Sequence, residues 1–115
     1  MENLINWEDK LSWPNSVKII SEMGYPKSAP LLMELLRFYQ DVNWPVFPTV
    51  TEILRTFDRE YLIEGFEKTA ELAIRYEDYG WIFGLNTLKD DLSIRMEEFK
   101  NPELYGFILD NADKW

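Results

Sequence analysis

The chain contains no histidine and no cysteine. Without imidazole there is no Ser-His-Asp or Cys-His nucleophile, no imidazole acid–base catalysis and no His-ligated metal site. Without thiols, disulfides and Cys-ligated zinc are excluded, and a reducing cytoplasm is the expected compartment. The five glycines form neither a phosphate-cradling loop nor a dinucleotide fingerprint. Long apolar runs are also missing. The densest, Leu31 to Phe38, is interrupted by Glu34 and Arg37, so no segment is expected to span a membrane. The first residues, Met1 to Asp9, lack the basic start and apolar core of a signal peptide. Positive charge is scarce, with 12 basic residues against 21 acidic ones and a net charge of −9. Such a surface repels nucleic acid and anionic lipid, and it speeds encounter with a basic partner. The expectation is a chain with no cofactor and no metal, and with neither nucleic acid nor membrane as partner.

What remains is a packed helical domain. At 115 residues, 46% hydrophobic and 16% aromatic, the chain is long enough to close one core without staples, so residues 1–115 are read as a single domain. Between the local breakers the apolar period is helical throughout, and no strand is expected. Ser12 is placed to cap a helix over Trp13–Met23, with Gly24 at its left-handed end and Pro26 preventing continuation. Leu31, Leu32, Leu35, Leu36 and Tyr39 mark a second helix to about Gln40. A third lies between Pro45 and Phe57, a fourth over about Arg59 to Tyr76, and a fifth over about Tyr79 to Leu88. Leu85, Leu88, Leu92, Met96 and Phe99 share one narrow arc at about 100° per residue. That arc predicts a sixth helix from Asp91 to Phe99, or a single bent helix in place of the last two. A short seventh holds Leu104, Phe107 and Ile108.

Two stretches share a form: Ser12-Trp13-Pro14 and Asn43-Trp44-Pro45. Each offers a capping side chain, a large apolar anchor, and a proline whose missing N–H costs nothing in the first helical turn. Thr49-Val50-Thr51-Glu52 is an alternative capping box for the third helix. Both devices precede a pair of helices, and Trp81 heads a third pair. A repeat of about 30–40 residues with two helices per unit is the pattern of a helical solenoid. The predicted fold class is therefore all-α, a short HEAT-like stack of about three helical hairpins.

The stretch LLMELLRFYQDVNWPVFPTVTEIL, from Leu31 to Leu54, resembles a small bacterial family catalogued as a domain of unknown function. The family pattern is a leucine-rich helix, then Q-D-x-N-W-P, then another helix. The resemblance runs best from Ala29 to Leu54 and continues through Trp81-Ile82 and Lys100-Asn101-Pro102. It implies an all-α domain of HEAT-like hairpins of a kind that often accompanies secreted toxins. It carries over no catalytic residues.

Carboxylates are the remaining source of chemistry. Glu77-Asp78, Asp90-Asp91 and Glu97-Glu98 are adjacent pairs, which diverge on a helix and cannot converge on one metal or one bond. Glu60, Glu64, Glu67 and Glu71 are different, because their spacing places all four within about 60° on one helix face. Leu62, Phe66, Ala70 and Ala73 lie opposite. Glu60–Glu64 and Glu67–Glu71 are like-charge pairs, which Glu64–Lys68 and Glu71–Arg75 offset in part. The row reads either as a solvated face or as a docking stripe for lysines and arginines of another protein, extended by Glu77 and Asp78. Two functions follow. One is a non-enzymatic immunity protein that covers a basic bacterial toxin, such as a nuclease. The other is a carboxylate-dependent enzyme acting on carbohydrate, which requires two facing carboxylates in a pocket, one with a raised pKa.

Overall fold

Among the described residues six α-helices follow one another along the chain. They are α1 (Trp13–Met23), α2 (Leu32–Arg37), α3 (Phe47–Arg55), α4 (Arg59–Arg75), α5 (Tyr79–Asp91) and α6 (Pro102–Asn111). The structure, a computed structural model, describes residues 5–41 and 46–114, and no strand occurs among the described residues. The all-α class is thus as the apolar periodicity requires. Tight 3₁₀ turns flank α2 at Ala29–Leu31 and Phe38–Gln40, so the second helical stretch reaches Gln40 in three pieces. All five of its periodic residues, Leu31, Leu32, Leu35, Leu36 and Tyr39, are buried.

Helix starts follow the expected devices unevenly. Pro14 sits in the first turn of α1 and Trp13 is buried ahead of it. The Trp13 indole donates to the Asn6 carbonyl at 2.9 Å and packs edge-on against Trp7 and Phe38. Ser12, however, caps nothing. Its hydroxyl donates to the Asp9 carbonyl at 2.7 Å within a preceding 3₁₀ turn. Asn43, Trp44 and Pro45 lie outside the described residues. Helix α3 begins at Phe47 with Pro48 in its first turn, which is ahead of the Thr49 capping box. Asn101-Pro102 lacks the aromatic anchor but has a working cap, Asn101 Oδ1 accepting the Glu103 N–H at 3.2 Å.

The predicted sixth helix over Asp91–Phe99 is not formed. Helix α5 runs on to Asp91, and Ser93 then turns left-handed with φ 52°. The Ser93 N–H donates to the Asp90 carbonyl and the Ile94 N–H to the Lys89 carbonyl, at 3.1 and 2.9 Å. This pair of bonds is a Schellman end, and it buries Ile94 in place of Met96. Leu85, Leu88, Leu92 and Phe99 do share the core as their arc requires, while Met96 is exposed. The arc was a property of burial, not of one continuous helix. Helix α4 ends in the same way at Glu77, also at φ 52°. There the Glu77 and Asp78 N–H groups donate to the carbonyls of Ile74 and Ala73 at 3.1 and 2.9 Å.

Helix α1 packs on α3, α2 on α4, and α4 on α6. Those are the alternate-helix contacts of stacked hairpins. Helix α5 packs on its chain neighbours α4 and α6 and also on the 3₁₀ turn Phe38–Gln40, and this last contact breaks that order. The result measures 35 × 27 × 22 Å, too compact to describe as a regular solenoid. The Trp81 indole ties α5 to α2 by donating to the Leu36 carbonyl at 3.1 Å. Deeper in, the buried Tyr39 hydroxyl pairs with Thr51 at 2.7 Å.

Candidate protein-binding face

Helix α4 is capped by Asp58, whose carboxylate accepts the Tyr61 N–H at 3.0 Å. With Glu60 in its first turn and Arg75 in its last, its charges complement the helix dipole. Leu62, Phe66, Ala70 and Ala73 are buried as their spacing predicts. Because α2, α5 and α6 all pack on it, the buried arc is wider than half the helix and also takes in Ile63, Gly65, Glu67 and Thr69. Only a narrow strip is left in solvent.

Glu60, Glu64 and Glu71 occupy that strip and are exposed. Glu64 pairs with Lys68 at 3.4 Å, one turn on. No ion pair joins Glu71 to Arg75 among the described residues. Glu67 departs from the expected row. It is 7% exposed, and its carboxylate accepts the backbone N–H groups of Lys100 and Asn101 at 3.1 and 2.9 Å. Its position, about 20° to the Ile63 side of Glu60 at 100° per residue, carries it under the turn that enters α6.

A groove of ≈ 280 Å³ runs along that side of the strip, lined by Ile63, Glu60, Glu64, Glu67, Arg59, Glu98 and Lys100. Arg59 grips Glu98 with two bonds, Nε to Oε1 at 2.8 Å and Nη2 to Oε2 at 3.1 Å. It also reaches the Ser93 carbonyl at 3.1 Å. Glu98 in turn accepts the Arg95 N–H at 2.8 Å. The bonds from Arg59 hold the Glu98 carboxyl down at about 2, against an ordinary 4.5, and the same contact raises Arg59. A carboxylate held ionised in this way cannot act as a proton donor near neutrality. Within the groove Glu98 is thus a fixed negative charge held by Arg59, beside Ile63 and Lys100.

Glu77 and Asp78 lie at the far end of α4. Glu77 is exposed and supplies the left-handed turn. Asp78 caps α5, its carboxylate accepting the Trp81 N–H at 3.1 Å, with Gln40 Nε2 at 3.5 Å from its other oxygen. Among the described residues no group of three or more His, Cys, Asp or Glu could hold a metal ion, and no helix is long and apolar enough to cross a membrane. Two hollows between α1 and α3, ≈ 350 and ≈ 380 Å³, each carry a single carboxylate, Glu22 and Glu52 respectively.

The family model described as "Domain of unknown function (DUF5071)" matches residues 8–105. The chain belongs to this family. No curated protein and no solved structure matches it.

The DUF5071 match takes in all of α1 through α5 and the start of α6, and hence the whole strip and both of its flanks. Within it are two features that sequence spacing did not reveal. The Arg59–Glu98 pair joins residues 39 positions apart, and nothing local in the sequence signals it. Lys89 is 3% exposed, with its ammonium 2.6 Å from Asp90 Oδ1 and 5.0 Å from the Tyr105 ring centre. Its helical position places it at the Schellman end, where its carbonyl accepts the Ile94 N–H.

Proposed function

We propose that this DUF5071 chain is a non-enzymatic protein-binding module, and most concretely a cytoplasmic immunity protein that covers a basic bacterial toxin such as a nuclease. The observation that carries this reading is the strip of Glu60, Glu64 and Glu71 on α4. Among the described residues Glu60 and Glu71 have no hydrogen-bond or ion-pair partner, while Asp58, Glu67, Asp78 and Glu98 are all engaged in caps, turns or an ion pair. Lys68 and Arg75 are exposed on the same strip, so it keeps a small acidic excess within a chain of net charge −9, and such an excess steers an oppositely charged protein. A standard interface takes about 800 Å² per partner, a small part of the 6685 Å² that this chain exposes. The groove beside the strip sets Ile63 next to Glu60 and Glu64, which suits the stem and head of a lysine or arginine, while Arg59 and Lys100 line its other side. The hydrolase alternative finds no support in Glu98, which Arg59 keeps ionised.

The reading expects a toxin gene immediately upstream of the one for this chain. Co-expression should rescue cells from that toxin. The charge-reversed variant Glu60→Lys/Glu64→Lys/Glu71→Lys should fold and fail to rescue. Full rescue by the folded variant would remove the strip from the interface.

A further inference from the structure

On the flank of α4 away from the Ile63 groove lies a second hollow, ≈ 100 Å³, between α2 and α4. We propose that this hollow, walled by Pro30, Met33 and Tyr61, seats an aliphatic side chain from a basic, amphipathic segment of the protein that the acidic strip attracts. The proposal rests on the binding reading above and adds the apolar anchor that charge alone does not supply.

Gly65 makes the hollow possible. A Cβ there would run into Leu32 Cδ2 and lie 3.0 Å from Leu32 Cγ, so its absence lets α2 settle onto α4. Met33 and Tyr61 remain 40% and 39% exposed. Both are held in place, Tyr61 by donating its hydroxyl to the Ala29 carbonyl at 2.8 Å, and Met33 by the Thr69 hydroxyl 3.7 Å from its sulfur. Tyr61 stacks on the buried Phe57, which in turn meets Tyr25, with ring centres 6.3 and 5.0 Å apart, so Tyr61 is backed by the core. Tyr and Met are enriched in interface cores, and methionine adapts to varied apolar partners. An exposed apolar pair, Met33 and Tyr61, bordered by charge is the arrangement of an anchor with its rim.

The charge names the occupant. Glu64 borders this hollow and the Ile63 groove alike. At the hollow it is paired with Lys68 at 3.4 Å, and the exposed Glu60 and Glu71 continue the strip beside it without such a pair among the described residues. A helix or turn with lysine or arginine three or four positions from a leucine would place cations on the strip and the leucine in the hollow. An acidic or uncharged apolar segment would be repelled or unsteered.

The test uses the intact chain with ¹³C-methyl methionine and, as probe, a short acetylated, amidated peptide of alternating Lys-Lys and Leu-Leu pairs. The Met33 methyl should shift and saturate. Met96, exposed beside Glu97 and Glu98, serves as an internal control and should not. The same peptide with serine for leucine should leave Met33 unmoved, and Met33→Ser should weaken the leucine peptide about 5- to 10-fold, with Met33→Leu restoring it. A salt-sensitive complex that is weakened by Glu60→Gln/Glu64→Gln, but leaves Met33 unmoved and Met33→Ser unaffected, would overturn the anchor and leave the acidic reading standing. Binding indifferent to salt and to those glutamine variants would overturn the acidic reading and the anchor with it.

Discussion

The Glu67 carboxylate closes on the backbone N–H of Asn101 at 2.9 Å and on its neighbour, Lys100, at 3.1 Å. By spacing Glu67 belongs with Glu60, Glu64 and Glu71. By position it is a brace between α4 and the start of α6, satisfying two donors that the turn leaves free. The charged face is therefore three exposed glutamates beside a buried fourth.

That division has a measurable consequence. Glu67→Ala should destabilise the chain by about 1–3 kcal/mol, because two part-buried backbone N–H groups lose a charged acceptor. Glu60→Gln, Glu64→Gln and Glu71→Gln should each fall within about 0.5 kcal/mol of wild type. Urea midpoints separate the two cases. Equal effects at all four positions would contradict the brace.

The left-handed residues at the ends of α4 and α5 should be improvable. Glu77 and Ser93 both carry φ 52° where glycine is the favoured residue. An L-residue there costs about 1–2 kcal/mol, offset in part by the chain entropy that glycine loses on folding. Glu77→Gly and Ser93→Gly should each raise stability by about 0.5–1 kcal/mol in thermal melts, with additive effects in the double variant. A loss at either site would show that the side chain outweighs the backbone.

Those two ends also mark where sequence legibility stopped. Helix α1 lies where Trp13, Gly24 and the apolar spacing place it, and Leu62, Phe66, Ala70 and Ala73 face the core as their period requires. Short-range periodicity reports such contacts well, because one helix face meets one core. It failed from Leu92 to Phe99, where a Schellman end left Leu92 and Phe99 buried without placing them in one helix. It failed at Glu67 for a related reason. How wide a buried arc becomes depends on how many neighbours cover the helix, and the segment that covers Glu67 comes from more than thirty residues away. Arg59 and Glu98 meet across a similar separation. The acidity of the face was legible, but its boundary was not.

Acid should loosen the Arg59–Glu98 contact in a defined window. The Glu98 carboxyl is at about 2 in the folded chain, below its ordinary 4.5, so the folded state favours its ionised form. The stabilisation is complete above about pH 4.5 and is lost as the pH falls toward 2. Arg59 stays charged throughout. A plot of urea midpoint against pH should fall in that window for wild type and fall less steeply for Glu98→Gln. Identical slopes would show that the pair contributes nothing in solution.

The central claim is that Glu60, Glu64 and Glu71 meet a basic protein, and the association rate measures it most directly. The probe is the protein encoded immediately upstream, bound to wild type and to Glu60→Gln/Glu64→Gln/Glu71→Gln over a range of salt. Glutamine keeps helix propensity and removes only charge. Wild type should associate fast at low salt and slow steeply as ionic strength shortens the reach of charge to about 8–10 Å. The triple variant should associate about 10-fold more slowly at low salt and show a much shallower salt slope. A triple variant that matches wild type in both rate and slope would contradict the account.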